Sequence, residues 1–344
     1  MADARVNMTG KELWAQLPHS PDAYPQKLDL VRGLVLVIGF SAEGYRAASF
    51  LDDRILAPAT QGGWLPLARV AEAASGIRDP RPLHFIFHTG HVGSTLLSRL
   101  LDETGAVLPL REPLPLRSLA EAHDVLQEPE SLLSESGFNA ALDTTLRLWA
   151  RGYDWTRAVV VKATSSAGRM AIPLLESRPE SRAICLNLQP EPYLATLLAG
   201  QNSADDLRAH GPGRIRRLLA RRGKPPEALH RLSSGELAAL GWLVETASQE
   251  DAMRRFPERV LAVDFEAFLG AVSEYMDRIV THFGLPRDER YLAGIAASPV
   301  LRRYSKAPER HYSPEDRDRQ LQESRRDNAA EIRKGLAWID RHAG

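Results

Sequence analysis

From residue 83 onward, short continuous apolar runs alternate with longer stretches whose apolar positions recur at helical spacing. His84-Phe85-Ile86-Phe87, Ala106 to Leu110, Ala158 to Val161, Ala183 to Leu188 and Val260 to Val263 are short runs rich in Val, Ile, Leu and Phe. Unbroken apolar runs of that length suit strands buried on both faces of a parallel sheet. Between them, Thr95 to Asp102 carries Leu96, Leu97, Leu100 and Leu101 on one helical stripe. Leu116 to Ala150 reads as helical with a break near Glu128-Pro129, and further helices are predicted near Ala171–Leu175, from Tyr193, over Ser233–Arg255 and over Ala329–Arg341. Phe265 to Phe283 reads as one helix stopped by Gly284, with Pro286 just beyond. Strands alternating with helices imply right-handed crossovers. The predicted fold class is α/β: a parallel sheet with helices on both faces, plus a small N-terminal unit.

That first unit, residues 1–80, is less regular. Lys11-Glu12-Leu13-Trp14 starts a short helix, Leu34 to Ile38 fits a strand or a buried helical segment, and Arg46 to Leu56 looks helical. The breaker-rich run Ile77-Arg78-Asp79-Pro80-Arg81-Pro82 separates it from the main domain, residues 81–344.

Composition narrows the function classes. Forty-four basic residues balance forty-four acidic ones over 344 residues, so no net charge draws the chain to nucleic acid or to an anionic membrane. Any anion site must be built locally. A mean hydropathy of -0.28 is ordinary for a globular protein. No apolar run is long enough to span a bilayer and Met1 to Lys11 has no apolar core, so a soluble cytoplasmic protein is expected. The single cysteine, Cys185, rules out an intrachain disulfide and reads as a buried strand thiol. The histidines show no metal-ligand spacing, and no metal is expected.

The chemistry concentrates in Phe87-His88-Thr89-Gly90-His91-Val92-Gly93-Ser94-Thr95-Leu96-Leu97. A strand enters a loop with two glycines three apart, and two hydroxyl residues open the following helix. Gly90 and Gly93 can take positive φ and admit a ligand close to the backbone. Free N–H groups and the helix dipole favour an anion there. Without a ligand, the same residues would make a tight turn capped by Ser94. An ATP-binding loop of the Gly-x4-Gly-Lys-Ser/Thr type is not present, because Ser94 follows Gly93.

This loop resembles the 5′-phosphosulfate loop of the sulfotransferase family, with His91 in the basic place, Val92 in the small one, then Gly93, Ser94, Thr95, Leu96 and Leu97. Histidine departs from the usual arginine or lysine. The resemblance extends over residues 83 to about 290. It implies a P-loop NTPase-like fold, a transferase activity and 3′-phosphoadenylyl sulfate (PAPS) as co-substrate. Gly90, His91, Val92, Gly93, Ser94 and Thr95 would then bind the donor. Glu112, 21 residues after His91 in Arg111-Glu112-Pro113, takes the place of the family's catalytic base; its alternative role is a helix-start carboxylate or an ion pair with Arg111 or Arg117. Lys162, after the strand Ala158–Val161, is placed to meet an anion at a strand's carboxyl end, and with His91 it would stabilise charge on the transferred group.

At the place of the 3′-phosphate element, Leu188 stands where the family has arginine, and Thr196, eight residues on, keeps a hydroxyl. Arg208, or Arg302, Arg303 and Lys306, could supply the missing charge, although such clusters usually form a solvated face. Glu266 in Asp264-Phe265-Glu266 is expected to cap or brace. Arg333-Lys334-Gly335 is expected to be a charged helix face. The acceptor would be a small-molecule or peptide hydroxyl or amine. Two rivals stand beside this reading: a nucleotide-dependent kinase with Asp264 as a magnesium ligand, and a non-catalytic nucleotide- or anion-binding module of the same fold.

Overall fold

The structure is a computed structural model that describes residues 10–200, 203–223 and 227–343. The first unit contains α1 (Gly10–Gln16), β1 (Ala23–Asp29), β2 (Leu34–Gly39), α2 (Ala42–Ala47), β3 (Gly62–Pro66) and α3 (Leu67–Ser75). The second begins with β4 (Leu83–His88), α4 (Ser94–Asp102), β5 (Val107–Arg111), α5 (Leu114–Asp124), α6 (Glu135–Trp149), β6 (Ala158–Lys162) and α7 (Ala171–Ser177). It continues through β7 (Ala183–Asn187), α8 (Pro190–Leu198), α9 (Ser203–Arg222), α10 (Ser234–Arg255) and β8 (Val260–Asp264). Then follow α11 (Phe265–Gly270), α12 (Val272–His282), α13 (Glu289–Gly294), α14 (Pro314–Asp327) and α15 (Ala329–His342).

The main sheet has the order β5-β6-β4-β7-β8, and every neighbouring pair is parallel. The α/β expectation therefore holds, with helices on both faces. Alternation along each strand divides two cores. Phe85, Phe87, Val159, Val161, Ala183 and Cys185 face one side with α5, α6 and α7, whereas Ile86, Val160, Ile184 and Leu186 face the other with α4, α8 and α12. Cys185 is fully buried, and burial pushes its thiol up to about 12. The connection leaving the central strand β4 runs toward the β5 edge, whereas that leaving its neighbour β6 runs the other way, past β4 to β7. The loop after β4 therefore opens at the sheet's switch point, where α/β sheets bind ligands.

The N-terminal unit is a three-stranded antiparallel sheet, β1-β2-β3, whose apolar face joins the core built on α5 and α6. Leu34 to Ile38 is thus a strand. β1 and β3 are absent from the sequence pattern for physical reasons. β1 buries Gln26 and shifts register between Pro25 and Lys27, and β3 is five residues long with two glycines.

Two helix expectations are corrected. Residues 46–56 are not one helix: α2 starts earlier, at a Ser41 cap accepting from the Gly44 amide at 3.2 Å, and stops at Ala47. Its end is fixed by Arg111, whose Nη1 donates to the carbonyls of Tyr45, Arg46 and Ala48 at 3.0, 3.0 and 2.8 Å. Residues 265–283 are two helices, broken at Ala271 (φ -146°, ψ 53°), which lets Phe265 and Phe268 as well as Met276, Ile279 and Val280 reach one core. Helix α9 was not foreseen; it runs through Gly211-Pro212-Gly213, and an internal proline costs about 3 kcal/mol. Among the described residues no helix is long and apolar enough to cross a membrane.

Candidate active site

β4 ends at His88 and α4 begins at Ser94. Between them Gly90 and Gly93 have φ of 98° and 72°, as their spacing suggested. The Gly90 amide donates to His88 Nδ1 at 3.0 Å, and His88 Nε2 lies 2.8 Å from the Ala163 carbonyl. The proton on Nε2 then points to the carbonyl and Nδ1 is left to accept. Burial, followed by the charge of Lys162, pushes His88 down to about 3, so the ring stays neutral. His88 braces the loop against the segment after β6.

Beyond Gly90 the protein leaves the loop amides open. The first turn of α4 offers no intrahelical acceptor to the amides of Ser94, Thr95 and Leu96; Leu97 is the first to bond back, to the Gly93 carbonyl at 3.0 Å. Among the described residues no hydrogen bond engages the amides from His91 to Leu96. The buried hydroxyls of Thr89 and Thr95 also lack partners. Buried polar groups are rarely left this way, and the simplest group that satisfies donors at a helix mouth is an anion.

Phe265, the first residue of α11, packs on Gly93 so closely that a Cβ there would overlap its ring. Gly93→Ala therefore meets both a left-handed backbone and a blocked space. It should cost about 2–5 kcal/mol of stability and abolish anion binding at the loop, checked by thermal unfolding with and without pyrophosphate.

Facing the loop, β5 and β6 end side by side, with Arg111 paired to Lys162 in register. The chain turns sharply at Glu112, whose φ is 55° and whose amide donates to the Lys162 carbonyl at 2.7 Å. Glu112 and Lys162 form a buried ion pair, Nζ to Oε1. Burial raises the Glu112 carboxyl, but the charge and hydrogen bond of Lys162, with the charge of Lys306, outweigh it and hold it below the usual range. Burial lowers Lys162, against the pull of Glu112. His91 also has φ of 55°. His91 and Glu112 are the non-glycine residues with positive φ among those described, and such strain clusters at functional sites.

Two residues outside the main domain's strands, Phe50 and Lys306, complete the cluster. Phe50, from the N-terminal unit, has Lys162 Nζ, Lys306 Nζ and Arg54 Cζ at 5.5, 6.0 and 3.6 Å from its ring centre. Lys306 comes from the C-terminal segment, whose backbone is anchored by Arg99 Nε on the Ser305 carbonyl (2.7 Å) and by Ser49 Oγ on its own carbonyl (3.0 Å). Its ammonium has no hydrogen bond or ion pair among the described residues, and its charge acts on Glu112, His88 and His91.

The other expected residues divide clearly. Gly90, Val92, Gly93, Ser94 and Thr95 form the loop, with Val92 buried in the core behind it. His91 is open to solvent at the loop crest, yet the crowding that desolvates its ring, then Lys306, takes it down to about 4. It is neutral near pH 7 and brings hydrogen bonding, not charge. Arg111 does not pair with Glu112; it is fully buried and bonds Ser98 Oγ at 3.0 Å and Asp102 Oδ2 at 3.1 Å as well as the end of α2. Thr196 donates to the Pro192 carbonyl of its own helix at 2.7 Å, and the Leu188 carbonyl accepts from Trp242 Nε1 at 2.9 Å. Arg208, Arg302 and Arg303 are exposed, so of those candidates Lys306 alone departs from a solvated face.

Glu266 braces Arg317, Asp264 caps α11 by accepting from the Ala267 amide at 3.0 Å, and Lys334 pairs with Glu331 at 2.7 Å on the exposed face of α15. Among the described residues no group of His, Cys, Asp and Glu could hold a metal ion. A cavity of about 1040 Å³ lies away from the loop, between α9, α10 and α15. Of the arginines that line it, Arg221 and Arg254 meet Asp251, Arg217 meets Glu245 and Arg341 lies near Glu236, whereas Arg222 bonds His342. His88, Phe50 and Phe265 were not identified as site residues beforehand, and Lys306 was named only as one of several possible sources of charge. Only His88 carried a local signal, as a polar side chain at the end of a buried strand.

No protein-family model matches the chain, and no curated protein matches it. Among solved structures it is similar to the sulfotransferase domain from the curacin biosynthetic pathway, at 12% identity and a TM-score of 0.41, covering 73% of this chain and 99% of that one. It is also similar to the sulfotransferase STF9 from Mycobacterium avium, at 14% identity and a TM-score of 0.39, covering 93% and 97%. A third is a retinol dehydratase in a complex with retinol and PAP, at 11% identity and a TM-score of 0.37, covering 89% and 91%. At these low scores the fold rests on the sheet order and loop geometry, and the solved structures named here supply a likeness to sulfotransferases.

Proposed function

We propose that this chain is a transferase that moves a sulfuryl group from PAPS to a hydroxyl or amine of a small-molecule or peptide acceptor. The supporting observation is one juxtaposition: the unpartnered amides of His91 to Leu96 at the mouth of α4, beside the buried Glu112–Lys162 pair. The donor, when bound, supplies a sulfuryl group already joined to a phosphate leaving group. The amides of His91 to Thr95 and the hydroxyls of Ser94 and Thr95 hold that phosphate. Glu112, ionised at neutral pH, accepts the proton of the acceptor hydroxyl. Lys162 and Lys306 offset negative charge as the group passes, a task of alignment and electrostatics more than of covalent chemistry. His91 adds a neutral hydrogen bond.

Lys306 stands in for the basic residue that the loop lacks. Lys306→Ala should weaken binding of adenosine 3′,5′-bisphosphate by about tenfold, with Arg restoring part of it, as measured by calorimetry. Unchanged affinity would assign the anion to the loop alone.

The buried Leu188 and the inward-bonded Thr196 favour one alternative, a protein that binds an anion on the loop without a 3′-phosphate contact. Thermal stabilisation decides between them, because binding raises the unfolding temperature by mass action. Adenosine 3′,5′-bisphosphate should stabilise more than AMP, and more than ATP with or without Mg²⁺. Preference for MgATP would sink the transferase reading in favour of a kinase; equal response to all anions would favour the binding module.

A further inference from the structure

Phe50, Lys306 and Glu112 each follow a residue held in one hydrogen-bonded network: Ser49, Ser305 and Arg111. One side chain joins the first two. Arg99, on α4, donates through Nε to the Ser305 carbonyl at 2.7 Å and through Nη2 to Ser49 Oγ at 2.8 Å. Its Nη1 and Nη2 also reach the Arg46 and Ala47 carbonyls, each at 3.3 Å. Ser49 Oγ in turn donates to the Lys306 carbonyl at 3.0 Å. The Arg46 carbonyl is shared with Arg111 Nη1, at 3.0 Å. No acid comes within ion-pair distance of Arg99 among the described residues; its N–H groups go to backbone carbonyls and a hydroxyl.

Phe50 and Lys306 would not stay at the site by themselves. The ammonium groups of Lys306 and Lys162 share the Phe50 ring, 6.0 and 5.5 Å from its centre. Like charges repel, and a lysine without an acid partner gains hydration by turning outward. A cation–π contact is too weak to hold a whole segment against that. The backbone of Lys306 must therefore be held from elsewhere. Around it the chain folds on itself: the Tyr304 amide donates to the Arg310 carbonyl and the Ala307 amide to the Tyr304 carbonyl, each at 2.9 Å, and Arg303 bridges His311. Among the described residues, the hydrogen bonds of residues 302–312 to earlier parts of the chain are those from Arg99 and Ser49. Arg99 stands on the helix whose first turn forms the mouth of the phosphate loop, so both segments take their position from that helix.

We propose that Arg99 is a positioning residue: its guanidinium holds Ser49 and Ser305 to α4 and so sets Phe50 and Lys306 beside the Glu112–Lys162 pair. It acts through those two residues, not on the donor or the acceptor. Its effect on transfer rests on the function proposed above; the coupling of the two segments does not. A guanidinium suits the task because its planar fork keeps several donors in fixed directions, which an ammonium on a flexible stem does not.

The test uses the full chain with Arg99→Ala, Arg99→Lys and Ser49→Ala. Hydrogen exchange followed by mass spectrometry needs no ligand. In Arg99→Ala, peptides covering residues 48–51 and 303–312 should both exchange at least about tenfold faster, while β4 and β6 stay as protected as before. Calorimetry with adenosine 3′,5′-bisphosphate reads the site itself. Arg99→Ala should bind about tenfold more weakly, as expected for Lys306→Ala, and the double variant should lose about tenfold in all, not about a hundredfold, because both changes remove one contact. Arg99→Lys should restore part of the affinity. Ser49→Ala, which removes a single link, should show a smaller loss that again vanishes in a Lys306→Ala background. Unchanged protection of residues 303–312, unchanged affinity beside lost protection, or losses that multiply in the double variant would each overturn the inference. If the unaltered protein binds no bisphosphate, the transferase reading falls; faster exchange of both segments in Arg99→Ala then still supports the coupling, and its absence overturns it.

Discussion

Glu112→Gln should lower sulfuryl transfer by about 10²–10⁴-fold, the usual range for a lost general base, while adenosine 3′,5′-bisphosphate binds as before. The amide keeps the size of the carboxyl and an oxygen toward Lys162, so the loop is not disturbed by volume. It cannot take a proton. The pH profile gives a second readout. Transfer needs the ionised carboxylate, and the charges around Glu112 hold its pKa below the ordinary value of 4.5. Activity should therefore fall only as pH drops through a point below 4.5, with no limb near neutrality from His91 or His88, which are neutral there. The same depressed pKa contributes stability that is present above the unfolded value and lost as pH falls through the folded one. Glu112→Gln removes that contribution and leaves Lys162 buried without its counter-ion. A urea titration alongside the assay separates the two effects. Full turnover in the variant would remove Glu112 as the base.

Arg111→Leu should destabilise the protein by about 3–5 kcal/mol, the range for breaking a buried charged pair by deleting one partner. Arg111 is fully buried and serves five acceptors: the Tyr45, Arg46 and Ala48 carbonyls, Ser98 Oγ and Asp102 Oδ2. Burial depresses its pKa to about 10, so it remains charged. Leucine fills much of the space but removes the donor from the Tyr45 and Ala48 carbonyls and from Ser98, and leaves Asp102 with Arg46 alone at 3.5 Å. Since Phe50 follows the end of α2 directly, the site should loosen with it. Chemical denaturation measures the loss; a change under about 1 kcal/mol would show that water replaces the guanidinium, as on a surface.

The residues most legible in the sequence were those whose role is local. Gly90 and Gly93 announce positive φ because no other residue takes it so readily, and the apolar runs of β4, β6 and β7 announce a buried parallel sheet because both faces must be apolar. The strand ends placed Glu112 and Lys162 at one edge of that sheet. Their pairing depended on β5 lying next to β6, a choice made by crossover topology that periodicity does not carry. Phe50 and Phe265 look like ordinary core aromatics, and Lys306 like one more surface lysine among Arg302 and Arg303. Nothing within their own segments marks them.

Taken alone, the order of residues determined where the chain can bend, which stretches must be buried, and that a helix mouth after β4 suits an anion, because backbone freedom, burial and the helix dipole act within a few residues. Only the tertiary structure decided which charges surround that mouth. It folds residues 50, 112, 162 and 306 into one cluster and sends Arg111 away from Glu112 to the end of α2. Coulomb interactions act through space, and the separations that set them exist only once the two sheets and the C-terminal segment have packed together.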